Sequence, residues 1–157
     1  MSESIESTKV VEAVLERIRN SIESERFTEE SPDEPESKHG SYRLYRLVPS
    51  NPDASEITFI ASVGDTNIDI AVGKSGKFST YAKRRESFDD YVEHLFELAL
   101  AVTRGDWSES IVQVGDKVVS SAIKIRWGRK TFRSTSRFGS PLRSGKRTTI
   151  RIAYEAW

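Results

Sequence analysis

One helical pattern divides this chain, and the runs on either side of it set the fold class. Phe88, Tyr91, Val92, Leu95, Ala99 and Val102 recur at helical spacing, so Phe88–Arg104 is expected to be an amphipathic helix. Ser87 stands at its N-cap, and Asp89 and Asp90 lie in the first turn, where the helix dipole favours anions. Arg104 and then Gly105 mark its end. On both sides the apolar period becomes strand-like. Upstream, YRLYRLV from Tyr42, Ile57–Val63, Thr66–Val72 and Lys77–Ala82 read as strands; downstream, so do Ser108–Val114, Lys117–Trp127, Lys130–Phe138 and Arg147–Ala156. Gly64-Asp65 and Gly115-Asp116 read as hairpin turns, and Gly64 at the first central position suits a two-residue type II′ turn. The expected fold is α+β, an antiparallel sheet of about six to eight strands packed on one central helix.

A second amphipathic helix is expected within residues 8–24, from Val11, Val14, Leu15, Ile18 and Ile22. It is followed by ERFTEESPDEPESKHG, rich in acids with two prolines and one aromatic. Such a segment buries too little apolar area to offset its ordering entropy, so it reads as a linker. The organisation expected is an N-terminal helix in 1–25, an acidic linker in 26–40, and an α+β domain in 41–157. On this reading the helix is tethered rather than embedded, and offers a contact for homo-oligomers.

The net charge of zero conceals a strong asymmetry. From Lys117 to Trp157 there are 11 Lys and Arg against the single acid Glu155, whereas residues 1–40 carry 5 bases and 11 acids. A basic terminal region is usually a disordered arm, but here the charge alternates with apolar residues. Ile123, Ile125 and Trp127 oppose Lys124 and Arg126; Phe132 and Phe138 oppose Arg133 and Arg137; Ile150, Ile152 and Tyr154 oppose Arg147 and Arg151. Side chains change face at every strand residue, so these bases are expected on one surface if the strands pair. Arg129, Lys130, Arg143 and Lys146 would extend it from the connecting loops.

Guanidinium groups suit carboxylates and phosphates. An acidic protein partner is the preferred ligand, and a nucleic-acid backbone the alternative, with Trp127, Phe138 or Trp157 available for stacking. A solvated sheet face is the bland alternative. The acidic N-terminal region folded back over the basic face is a third.

The motifs that would signal catalysis are incomplete. Gly73-Lys74-Ser75 ends like a phosphate-binding loop, but Ile68 stands where that loop needs glycine and no helix follows, so it reads as a hairpin loop. His94 lies with Asp90 and Glu97 on one helix face, which reads as solvated; His39 lies in the acidic segment. A carboxylate pair such as Asp65 and Asp69 can be nominated for acid/base work, but no sequence feature suggests that either is tuned for it. No G-x-S-x-G elbow is present, and Trp107 reads as a core cap. With no cysteine, disulfides and thiolate chemistry are excluded. No apolar run suits a signal peptide or a membrane helix, so a cytoplasmic protein without cofactor, metal or catalytic residues is expected.

Leu95–Ile125, LFELALAVTRGDWSESIVQVGDKVVSSAIKI, resembles small bacterial immunity-type proteins encoded beside polymorphic toxins. The shared elements are an acidic helix ending in AV-x-x-G, an acidic strand, and a Gly-Asp hairpin into a VV-x-S strand. The resemblance covers about a fifth of the chain. It implies binding and inhibition of a partner protein, without chemistry. Immunity proteins against nucleases are often acidic; a basic face departs from that pattern and would fit a toxin with an acidic surface.

Overall fold

A computed structural model describes residues 5–33, 36–37, 40–138 and 145–157. Arg143 and His39 lie outside the described residues, as does the side chain of Trp127. The elements run α1 (Ser7–Ser21), β1 (Phe27–Asp33), β2 (Glu36–Ser37), β3 (Gly40–Pro49), β4 (Ile57–Ser62), β5 (Ile68–Val72) and β6 (Gly76–Thr80). Then follow α2 (Phe88–Thr103), β7 (Trp107–Val114), β8 (Lys117–Trp127), β9 (Lys130–Arg137) and β10 (Arg147–Ala153).

The fold is α+β, as expected, but the strands form two antiparallel sheets and not one. The first is six-stranded in the order β1-β3-β4-β5-β6, with the short β2 paired to β3 off that path; the second is four-stranded in the order β10-β7-β8-β9. Alternation identifies a strand and its buried face, but contains nothing about where a sheet ends. Here α2 separates the two blocks of strands in the chain, and no strand pair joins them.

Both helices cover one face of the first sheet. Its register aligns Tyr45 with Phe59, Phe59 with Ile70, and Ile70 with Phe78, giving one apolar row across four strands. Leu98, Ala99 and Val102 of α2 pack over Ile57, Phe59, Ile70 and Val72. Ser87 caps α2 by accepting the Asp90 backbone N–H at 3.1 Å, and Arg104 is its C-cap, as the sequence predicts.

The linker reading is overturned. β1 pairs with β3 over Phe27–Pro49 to Asp33–Leu44, and Phe27 is buried against Trp157 with ring centroids 5.5 Å apart. α1 is embedded: Val10, Val11, Val14 and Ile18 are fully buried, so the stripe offered for oligomerisation faces the core. The described acids of β1 pair elsewhere than on the basic face: Glu29 accepts two 2.7 Å bonds from Arg19 of α1, and Glu30 pairs with Arg46 of β3. A strand stabilised by one buried aromatic and by ion pairs to distant residues leaves no local apolar pattern to read.

The two Gly-Asp turns differ. Gly115 (φ 64°) lies in a two-residue connection between paired Val114 and Lys117, as a type II′ turn requires. Gly64-Asp65 lies instead in the longer connection from Ser62 to Ile68, tied by Ser62 N–H to Asn67 at 3.2 Å. The α1 entry uses this loop, because the Ser7 N–H donates to the Asp65 carbonyl at 2.9 Å.

Candidate binding face and the junction beneath it

The second sheet lies across the end of the first, and the contacts step along one segment. The Gly73–Ser75 turn meets β7, where the Glu109 carboxylate accepts the backbone N–H groups of Lys74 (3.0 Å) and Ser75 (2.7 Å). Next, Ser121 of β8 donates to the Ser75 carbonyl at 3.2 Å, and Ile123 packs on Gly76. Finally Phe78 packs on Phe132 of β9, centroids 4.7 Å apart. β6 therefore crosses beneath β7, β8 and β9 in turn.

Glu109 is fully buried, yet its carboxylate has three donors, the third being the Tyr154 hydroxyl at 2.6 Å. Burial, then this bond to Glu109 and its charge, push the Tyr154 phenol well above its usual range, so it stays protonated as a donor. Trp107 stacks on the Tyr154 ring, 4.3 Å apart and nearly parallel. Gly73 has φ 66°, and a Cβ there would lie 2.4 Å from a Glu109 oxygen. The Gly-Lys-Ser turn is thus an oxyanion cradle, but its anion is a carboxylate of the same chain. The turn was legible; Glu109 as its occupant was not, since a buried carboxylate has no signature in sequence.

The opposite face of the second sheet carries the bases. Register places Lys124 across from Arg133, and Arg126 beside Thr131. Ala122 faces Thr135, and Ser120 faces Arg137. On the other side, Arg151 lies across from Ser110, and Arg147 from Val114. Two corrections follow. β9 and β10 are opposite edges, so the bases of β10 are separated from those of β8 and β9 by the outward row of β7, Ser108, Ser110, Val112 and Val114. Lys130 pairs with Trp127 and keeps step with Phe132, which places it on the inner side, where its charge acts on His94 of α2. Arg129 lies in the β8–β9 turn, and Lys146 just before β10, both exposed.

Charge balance separates the two sheets. On the first sheet's outer face Arg46 pairs with Glu30 and Glu56, and Lys77 with Asp69. Among the described residues no carboxylate pairs with Lys124, Arg126, Arg133, Arg137, Arg147 or Arg151. The repulsion is felt: Arg126, then Arg133, lower the Lys124 ammonium pKa from its usual value.

The other sequence candidates separate. Asp69 is held by Ser79 (2.5 Å) and Lys77, whereas Asp65 caps Thr66 N–H in its loop (2.7 Å), so the two carboxylates serve different structures. His94 is half-buried on α2, and desolvation lowers its pKa. Trp157 is buried and donates its indole N–H to the Ser55 carbonyl at 2.8 Å, which removes it from any stacking platform; Trp107 is core, as expected. Phe138 is exposed.

Sequence reading did not find the cleft of ≈ 690 Å³ between β6 and β9. Phe78, Phe132 and Phe138 line it with the hydroxyls of Ser79, Ser134 and Ser136, and the charged Asp69, Lys74 and Lys77 stand at its β6 side. It forms where β6 of the first sheet meets β9 of the second, a contact between distant residues that no local pattern encodes.

Among the described residues, two α-helices and two antiparallel sheets define an α+β protein, and the bases on the outer face of the second sheet have no carboxylate paired with them. No family model, curated protein or solved structure matches the chain. Among the described residues no helix is long and apolar enough to cross a membrane, and no group of three or more His, Asp or Glu is placed to hold a metal ion.

Proposed function

We propose that this chain is a binding protein that engages an acidic protein surface through the outer face of its second sheet, without chemistry of its own. The observation that carries the reading is the contrast between the sheets. Bases on the first are paired with acids, while among the described residues no carboxylate pairs with Lys124, Arg126, Arg133, Arg137, Arg147 or Arg151 on the second. Lys124 is depressed by its neighbours, so an incoming anion relieves repulsion as well as adding attraction.

A protein ligand fits this face better than single-stranded nucleic acid. Single-strand binders stack successive bases on several exposed rings; of the rings offered for stacking, Trp157 is buried and Phe138 is exposed. In the immunity-type reading of Leu95–Ile125 the partner is a toxin with an acidic surface.

The test is recovery of a stoichiometric acidic protein from the source cells with tagged wild type and with Arg126→Glu/Arg133→Glu/Arg151→Glu. Loss of the partner with an unchanged circular dichroism spectrum supports the face. Equal recovery moves the interface elsewhere. Oligonucleotide titration at two salt concentrations is the control; steeply salt-dependent binding there, with no protein recovered, would favour the phosphate reading.

A further inference from the structure

Resting on that reading, we infer that the acidic partner docks as an extended segment added to the outer edge of β9, with alternate side chains over the basic face and in the β6–β9 cleft. Among the described residues β9 ends its sheet: its eight residues pair with β8 alone. Such an edge presents a row of backbone N–H and C=O groups able to pair with another strand. β9 contains no proline that would interrupt that row.

Its side chains select what can pair. Thr131, Arg133, Thr135 and Arg137 project to the basic face, and Phe132, Ser134 and Ser136 to the inner side. A second copy of β9 would oppose cations with cations, which is unfavourable, whereas acids at alternate positions pair with Arg133 and Arg137. The basic edge therefore disfavours self-association and admits an acidic strand. On most sheets an added strand would then have its other side in water. Here Phe78 of β6 packs on Phe132 of β9 and both strands line the cleft, so it opens on the inner side of β9, toward which the inward side chains of an added strand would point. The aromatic rings of Phe78, Phe132 and Phe138 suit small apolar side chains there. The expected ligand motif alternates Glu or Asp with Val, Ile or Thr.

The experiment uses the full chain and three capped probes: a peptide of alternating Glu and Val about as long as β9, the same composition in two blocks, and the alternating peptide with backbone N-methyl groups on every second residue. Polyglutamate at low salt reports on the basic face alone. Expected are binding of the alternating peptide, about tenfold weaker binding of the other two, and slowed amide exchange within Lys130–Arg137. Arg133→Glu/Arg137→Glu should abolish binding. Equal binding of the N-methylated and unmodified peptides, with polyglutamate also bound, would overturn strand addition and leave the basic-face reading standing. No binding of any probe, polyglutamate included, would overturn both. Protection of β10 amides in place of β9 would overturn the choice of edge. Because the decisive change is made in the ligand, the test of strand addition does not depend on a variant folding.

Discussion

The Glu109 carboxylate on β7 accepts the Ser75 backbone N–H at 2.7 Å, and this bond joins the second sheet to the first. With the Lys74 N–H and Tyr154 hydroxyl it makes a fully partnered buried charge at the junction of the two sheets. The orientation of the basic face relative to β6, and so the cleft, depends on it.

Glu109→Ala leaves two backbone N–H groups and a phenol without their acceptor. The expected loss is about 3 kcal/mol, at 1.5–3 for hydrogen bonds to a charged group. Tyr154→Phe removes one donor and keeps the Trp107 stack, so about 1 kcal/mol is expected. Urea unfolding measures both; an unchanged midpoint for Glu109→Ala would show that the junction is not stabilising.

Gly73→Ala should be more harmful than its size suggests. Its φ of 66° costs a side chain about 1–2 kcal/mol, and the new Cβ would displace the Glu109 oxygen 2.4 Å away. Gly115→Ala, with φ 64° but open space around it, isolates the backbone cost. Thermal unfolding of both variants gives the comparison: equal losses would mean that the Glu109 approach is unimportant.

Burial of His94 lowers its folded pKa from the 6.5 of the free side chain. The unfolded chain then takes up the proton first on acidification, so stability is complete above 6.5 and falls as pH drops toward the folded value. His94→Gln should flatten that part of the pH–stability curve. The Glu86, Lys83, Glu97 and Lys130 charges also act on His94 in opposing senses, so Lys130→Gln should raise its pKa. Proton NMR of the imidazole checks both statements.

Removing a neighbour should return the Lys124 ammonium toward 10.5. The expected order of rise is Arg126→Gln above Arg133→Gln, the order in which the two lower it. An acidic ligand should act in the same direction and draw protons onto the protein in alkaline buffer. Titrating the Lys124 side-chain carbon resonance, free and with polyglutamate, measures this; no rise with ligand would place the anion away from Lys124.

Ile18→Ala should destabilise the whole molecule by about 3 kcal/mol, as for other buried Ile truncations. Ile18 is fully buried within the shared core. A tethered N-terminal helix would lose only itself, so a single cooperative transition with a lower midpoint separates the two arrangements.

The sequence by itself determined the elements whose partners are local. The α2 stripe, its Ser87 cap, the β8 limits and the alternation of Arg with Ile or Phe were all legible, because helix and strand periods are properties of neighbouring residues. Only the tertiary structure decided what depends on distant residues. It turned 27–33 into a strand, placing Phe27 on Trp157 and Glu30 on Arg46. It put β9 and β10 on opposite edges, moved Lys130 to the inner side, and filled the Gly73–Ser75 cradle with Glu109. The reason is physical. Alternation fixes which face of a strand is buried, whereas sheet order, ion pairing and a buried carboxylate are fixed by contacts between residues far apart in the chain.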